Sequence, residues 1–236
     1  MIQVHPSWQD TVQKCYSKLD LGYIDFLEKD EGYFPTYGNF LNAFKTLPLD
    51  KTRYILFGQD PYPRERSAIG YAFIDGMIDE IFCKSGLGKR VNRATSLRNF
   101  IKMLLVAQGS LDAEDTTQER IAKVNKDNLI TDIMQLKRNF ERNGVLLLNT
   151  SLVFTGKKDT SKHVKSFRPF MDELLRRLED REIELILFGN IAKDMQRRFT
   201  SIKNYQVFKS MHPYNVGFIK DSSVIHFFKP MNLLAV

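Results

Sequence analysis

Four short apolar runs, at residues 54–57, 145–148, 184–188 and 205–208, are each of strand length. Stretches of helical period separate them, at 96–107, 128–141, 167–178 and 191–199. Apolar residues three and four apart give a helix one buried stripe, whereas an unbroken short run suits a strand covered on both faces. Strands alternating with helices pair in parallel through right-handed crossovers. The pattern therefore predicts an α/β fold, a three-layer αβα sandwich with a central four-stranded parallel sheet. Ahead of the first strand it predicts helices over 8–19 with Ser7 as N-cap, over 23–27, and over 39–44, where Phe40, Leu41 and Phe44 share a face. A last helix runs from Ser223 toward Leu234 and should kink or split at Pro230. Residues 109–127 are polar until Ile121 and Val124 and read as a loop with a marginal helix. With no repeat or linker, residues 1–236 read as a single domain.

In open parallel sheets ligands bind beyond the carboxyl ends of the strands. Here those ends carry Gln59 and Asp60, then Asn149, then Gly189 with Asn190, and finally His212, so four distant positions are expected to converge on one crevice. The first loop, Gly58-Gln59-Asp60-Pro61-Tyr62-Pro63, is the most constrained. Two prolines bracketing a tyrosine limit φ and remove two amide donors, which holds Asp60 and Tyr62 in place. Asp60 can close a turn, or orient water and stabilise developing positive charge; two unit charges about 4 Å apart interact by about 4 kcal/mol at an effective dielectric of about 20.

His212, in Ser210-Met211-His212-Pro213-Tyr214, can donate to a carbonyl oxygen that gains charge, a role whose loss typically costs about 2.7–4 kcal/mol. His5-Pro6-Ser7 looks similar but follows no strand, and reads as a decoy. Asn149 can form a turn, or present one fixed amide that both donates and accepts. Phe73, in Gly70-Tyr71-Ala72-Phe73-Ile74, offers a ring face for stacking, although a chain with 18 Phe and 9 Tyr uses most such rings in its core. Ser96, preceding a helix and flanked by Arg93 and Arg98, serves equally as a helix cap or a phosphate donor. Ser85-Gly86-Leu87-Gly88-Lys89-Arg90 lacks phosphate-loop spacing and reads as a basic surface loop.

Charge narrows the partner class. The net charge is +7, the pI about 9.3, and 43% of the 236 residues are hydrophobic. That is enough for one substantial core, and a basic surface favours a phosphate backbone. Only Cys15 and Cys83 are present, which excludes a four-cysteine cluster and an all-thiolate zinc site. No run approaches eighteen apolar residues, and the start, Met1-Ile2-Gln3-Val4-His5-Pro6, lacks a leader pattern. A soluble, intracellular protein with no membrane association is expected.

The Gly58–Tyr62 loop resembles the water-activating loop of the family 1 uracil-DNA glycosylases. The similarity continues in order through Asn42-Ala43-Phe44, Gly70 to Phe73, Ser96-Leu97, Leu146 to Thr150, His163, Gly189 and His212-Pro213, with a longer stretch between Phe73 and Asn149. The resemblance implies a monofunctional enzyme that flips uracil out of DNA and hydrolyses its N-glycosidic bond, leaving an abasic site. It implies no cofactor and no metal. Carried over by position, Asp60 activates water and His212 stabilises the departing uracil anion. Asn149 recognises uracil, Phe73 stacks on it, Tyr62 excludes thymine, and Gln59 lines the pocket through its backbone. Ser96, Asn190, Pro213, Tyr214 and Val216 fall on the DNA-binding positions.

Several positions depart from the family pattern. Pro63 stands where most members have histidine, although poxviral relatives are similar to this chain in carrying proline there. Asn190 and Tyr214 replace serines that grip phosphates, and Val216 replaces a leucine that wedges into the duplex. We expect the basic start of the extended segment 81–127 to supply phosphate contacts instead. The implied partner is uracil-containing DNA, single- or double-stranded, bound by a monomer in the cytoplasm, or in the nucleus of a eukaryotic cell; a proteinaceous uracil-glycosylase inhibitor or replication factors complete the partners the resemblance suggests. Two rival readings exist. One is a catalytically weak homologue that binds uracil or abasic DNA or acts as a replication scaffold; the other is a nucleotide-binding Rossmann-like domain, which no phosphate fingerprint supports.

Overall fold

The first apolar run forms the centre of a sheet because both its faces are covered: Ile55, Leu56 and Phe57 are each fully buried. In the computed structural model, which describes residues 3–236, this run is one of sixteen α-helices and strands among the described residues. Met1 and Ile2, which begin the segment read for a leader, lie outside the described residues. In chain order the elements are α1 (Gln9–Tyr16), α2 (Leu21–Glu28), α3 (Ala43–Thr46), β1 (Tyr54–Gly58), β2 (Phe82–Cys83), β3 (Gly86–Leu87), α4 (Lys89–Arg93) and α5 (Thr95–Ala107). There follow α6 (Gln118–Ala122), α7 (Ile133–Arg142), β4 (Val145–Asn149), α8 (Thr160–Leu178), β5 (Glu184–Phe188), α9 (Asn190–Arg198), β6 (Gln206–Ser210) and α10 (Ser222–Phe228). The fold is α/β: a four-stranded parallel sheet of order β4-β1-β5-β6 with flanking helices. Tyr54 pairs with Val145 and Glu184, and the register runs on to place Gly58 beside Asn149.

The chain divides into two compact units. One comprises the chain up to Asp75, Gly144–Leu187 and Ile191–Phe208. Its core is aromatic: Trp8 meets Phe44 edge-on at 5.0 Å, Phe44 lies 6.3 Å from Phe170, and Phe167 packs edge-on against Tyr23 at 5.4 Å. The other comprises Gly76–Asn143, Phe188–Asn190 and Lys209–Val236. Its core gathers on Phe100 of α5, which lies 5.9 Å from Phe140, 6.0 Å from Phe218 and 5.1 Å from Phe228. None of the described helices is long and apolar enough to cross a membrane.

Several boundaries differ from the sequence pattern for local reasons. Ser7 does not cap α1. A 3-10 turn, Pro6–Trp8, comes first, His5 accepts its Ser7 N–H, and Ser7 Oγ accepts from the Leu49 amide. The expected helix over 39–44 is a series of turns ending in α3. Helix α7 starts at Ile133 because Asp132 and Gln135 form a capping box there. Helix α8 begins at Thr160 and carries Pro169 inside it, since His163 and Val164 extend its buried stripe. The fourth strand is shifted to Gln206–Ser210, and the basic loop 85–90 is the tip of a hairpin leading into α4. The last helix splits as expected, with Lys229–Met231 a separate 3-10 turn.

Candidate active site

Asn149 is the last residue of β4 and only 6% exposed, yet no hydrogen bond to another described residue occupies its amide. Its position depends on β1. A Cβ on Gly58 would lie 2.1 Å from Asn149 Oδ1, so only glycine leaves room for the amide at that register. The loops beyond are tied together by backbone bonds. Thr150 N–H donates to the Gly58 carbonyl at 2.9 Å, while Ser151 N–H and Thr150 Oγ1 both donate to the Gln59 carbonyl, at 2.9 and 2.8 Å. An amide with no protein partner at the carboxyl end of a parallel strand is placed where such folds bind ligands.

Asp60 is half-buried, and burial pushes its carboxyl above the usual carboxylate range. No cationic side chain pairs with it among the described residues. Tyr62 Oη donates to the Phe73 carbonyl at 3.3 Å, which joins the Asp60 loop to the 70–73 segment. Burial raises the Tyr62 hydroxyl, with the Asp75 carboxylate adding to the shift, so the phenol stays a neutral donor. Phe73 adopts φ +65°, a left-handed conformation costly for a non-glycine residue. Its neighbours fix it: Ala72 N–H donates to the Leu147 carbonyl at 3.2 Å, and Asn42 Nδ2 donates to the Ile69 carbonyl at 2.9 Å. Gly70, at φ +85°, passes so close to Asn39 that a Cβ would lie 2.1 Å from its carbonyl oxygen. The structure thus brings Asp60, Tyr62 and Phe73 together on bonded loops and sets Asn149 in register with the start of the Asp60 loop.

Gln59 joins the two loops through its backbone. Its carbonyl is taken by Thr150 and Ser151, and the residue borders a small cleft with Thr160 and Ser161 of α8 and Arg198 of α9. His163 is structural: it is 2% exposed, with Nδ1 2.7 Å from Tyr23 Oη and Nε2 3.0 Å from Thr155 Oγ1.

In the other unit, His212 follows β6 in a loop built around it. Tyr214 N–H donates to His212 Nδ1 at 3.1 Å, so Nδ1 is an acceptor and the ring proton of the neutral form sits on Nε2. Burial holds this imidazole below the ordinary histidine value. Gly189, at φ +58°, donates its N–H to the Ser210 carbonyl; a Cβ there would lie 2.8 Å from His212 Cβ. Asn99, 3% exposed on α5, donates to the carbonyls of Pro213 at 2.8 Å and Tyr214 at 3.4 Å. Pro213 is buried beneath the loop, which leaves Tyr214 and Val216, each 69% exposed, as its tip. Ser96 is the second residue of α5, whose cap is Ala94 with no side-chain cap bond, and Asn190 is the exposed first residue of α9.

Sequence reasoning did not single out Asn39, Asn99 or Thr150. Asn99 and Thr150 each donate a side-chain bond to a backbone carbonyl, while Asn39 accepts from Asn42 Nδ2, and such bonds leave no periodic trace; Asn42 and the glycines 58, 70 and 189 stood in the matched motifs without a stated role.

Comparison with known proteins bears on the same residues. The model of the uracil DNA glycosylase superfamily matches residues 44–232. A crystal structure of wild-type UNG from Nitratifractor salsuginis is 46% identical, with a TM-score of 0.96 over 98% of this chain and 93% of that one. Among curated proteins, the uracil-DNA glycosylase of Fusobacterium nucleatum is 25% identical over 90% of this chain and 83% of its own length. That of Streptococcus mutans is 25% identical over 89% and 83%. Mimivirus uracil-DNA glycosylase, 19% identical with a TM-score of 0.57 over 90% of this chain and 70% of that one, shares the fold. A match spanning most of the chain, with the strand-end residues inside it, places this chain in the uracil-DNA glycosylase superfamily.

Proposed function

We propose that this chain excises uracil from DNA by hydrolysing the N-glycosidic bond of deoxyuridine, leaving an abasic site. The observation that carries the reading is the amide of Asn149, set at the end of β4 and seated against Gly58. Uracil offers an acceptor at O4 and a donor at N3, the complement of one fixed carboxamide, whereas cytosine reverses both. Phe73 supplies the stacking face, and Tyr62 fills the space of a thymine methyl. Gln59 supports them through its carbonyl, which ties the Asp60 loop to Thr150 and Ser151.

In the reaction the oxygen of a water bonds to C1′ as the C1′–N1 bond breaks. The bonding electron pair leaves with the base as a uracil anion, and the water proton passes to Asp60 and on to solvent. Asp60, an anion without a cationic partner, stabilises the positive charge that develops on the sugar. His212, neutral with its proton on Nε2, donates to the base carbonyl that gains charge. Ser96, Asn190, Tyr214 and Val216 contact the DNA, with Pro213 beneath the loop as its support. Flipping costs a few kcal/mol, least in single strands, so unpaired uracil is processed readily.

The reading includes a cytoplasmic monomer. It extends to a proteinaceous inhibitor as partner on the strength of a mimivirus UNG solved in complex with UGI, a protein 18% identical to this chain. The test is cleavage of oligonucleotides carrying uracil opposite A, opposite G and in single strands, with thymine as control and alkali to reveal abasic sites. Uracil-dependent cleavage is expected in all three. Binding without cleavage would replace the reading by that of a catalytically weak homologue.

A further inference from the structure

Residues 84–102 contain six cations and no carboxylate: Lys84, Lys89, Arg90, Arg93, Arg98 and Lys102. The fold engages two of them internally. Arg90 Nη1 donates to the Met77 carbonyl at 2.6 Å and to Asp79 at 2.9 Å, and Arg98 Nη1 donates to the Asn92 carbonyl at 2.8 Å. Lys102 is half-buried on α5. Lys84, Lys89 and Arg93 are exposed, and no ion pair or hydrogen bond with a described residue engages them. Three acidic side chains of the same unit are paired with other cations: Asp79 with Arg90, Asp115 with Arg120 and Glu114 with Lys220.

The three free cations stand on a braced platform. Leu87 N–H donates to Gln118 Oε1 at 2.7 Å, and Gln118 Nε2 donates to Asn92 Oδ1 at 3.0 Å, so α6 clamps the hairpin β2–β3 to α4. Gly86 sits at φ +129°, where a Cβ would lie 2.2 Å from Gln118 Oε1, so the hairpin tip is packed against α6 as well as bonded to it. Directly after this platform comes α5, and within its first turn and a half Asn99 grips the carbonyls of Pro213 and Tyr214. The cation-bearing α4 therefore leads straight into the helix that anchors an exposed aromatic and apolar tip. Cations beside a stacking side chain are the two elements that hold a nucleic-acid strand.

We infer that the hairpin and α4, residues 82–93, form a phosphate-binding platform for the DNA flanking the lesion, with Lys84, Lys89 and Arg93 each taking one backbone phosphate. This rests on the proposed function above, and it names the residues that make up for the serines absent at 190 and 214. Arg90 is not among them, because its Nη1 is engaged by the Met77 carbonyl and Asp79.

The test measures affinity for a 20-base-pair duplex between 50 and 200 mM salt, for wild type and for a Lys84→Gln/Lys89→Gln/Arg93→Gln variant whose melting temperature is checked. Each phosphate neutralised contributes about 0.9 to the slope of log affinity against log salt, so the slope should fall by about 2–3. A variant with Lys84→Arg, Lys89→Arg and Arg93→Lys should keep the wild-type slope. A slope change below about one overturns the inference, as does an equal loss in the charge-conserving variant. Failure of the wild type to release uracil would instead overturn the functional reading, so the two failures are separable.

Discussion

The side-chain oxygen of Asn149 stands 2.1 Å from the point where a Cβ on Gly58 would lie. Two residues 91 positions apart thus share one space, and a methyl group there must displace the amide or bend the strand. Gly58→Ala is expected to lower kcat/KM for uracil by roughly 5- to 150-fold, the range for losing one buried hydrogen-bonding group at about 1–3 kcal/mol. Steady-state kinetics on a single-stranded uracil oligonucleotide check this, and a wild-type value would mean that Asn149 does not read the base.

Asp60 should trade stability for activity. Burial raises its folded-state pKa above the ordinary 3.8, so at pH above both values the charged carboxylate destabilises the native state. Asp60→Asn should therefore raise the melting temperature at pH 7 and lose that advantage below about pH 3.8, where both side chains are neutral. The same change should strongly lower turnover. Melting curves at both pH values, beside the cleavage assay, separate this from a surface aspartate, which would leave the melting temperature unmoved.

The acid limb of the pH–rate profile should carry the His212 titration. Its folded value lies below the ordinary 6.5, so the neutral ring persists to lower pH than an exposed histidine. Protonation puts a second proton on Nδ1, facing the Tyr214 N–H that now donates to it, so activity and loop order should both fall as pH drops through the depressed value. The sign for stability follows: the unfolded chain binds the proton first, and native stability declines as pH falls from about 6.5. His212→Ala should lower kcat about 10²- to 10³-fold. A variant profile with an unchanged acid limb would remove His212 from the mechanism.

Asn99 touches no substrate in this reading and works as a positioning residue. Asn99→Ala leaves the carbonyls of Pro213 and Tyr214 without their buried donor, at a cost of about 1–3 kcal/mol. The expected outcome is a lower melting temperature together with a KM raised more for duplex than for single-stranded substrate, because the loosened tip carries Tyr214 and Val216. Equal changes in both KM values would indicate a loss of stability alone.

The strands were legible because buried parallel strands are nearly unbroken apolar runs, and all four lie within two residues of the pattern. Helix starts were less legible. That of α7 depends on Asp132 capturing its first free amides, and that of α1 on the 3-10 turn, capped by His5, which precedes it. Asp60, Asn149 and His212 could be singled out because each lies within four residues of the end of an apolar run.

Sequence alone determined the α/β class, the strand ends as the place for chemistry, and the residue types gathered there, since side-chain period and strand burial are local properties that a single chain displays. Tertiary structure alone decided the left-handed Phe73, the tautomer of His212, the seating of Asn149 against Gly58, and which cations of 84–102 remain free. Each of these depends on a partner from a distant or non-periodic part of the chain: a carbonyl, an amide or a carboxylate. Only folding brings such partners within the 3 Å at which hydrogen bonds and steric exclusion act.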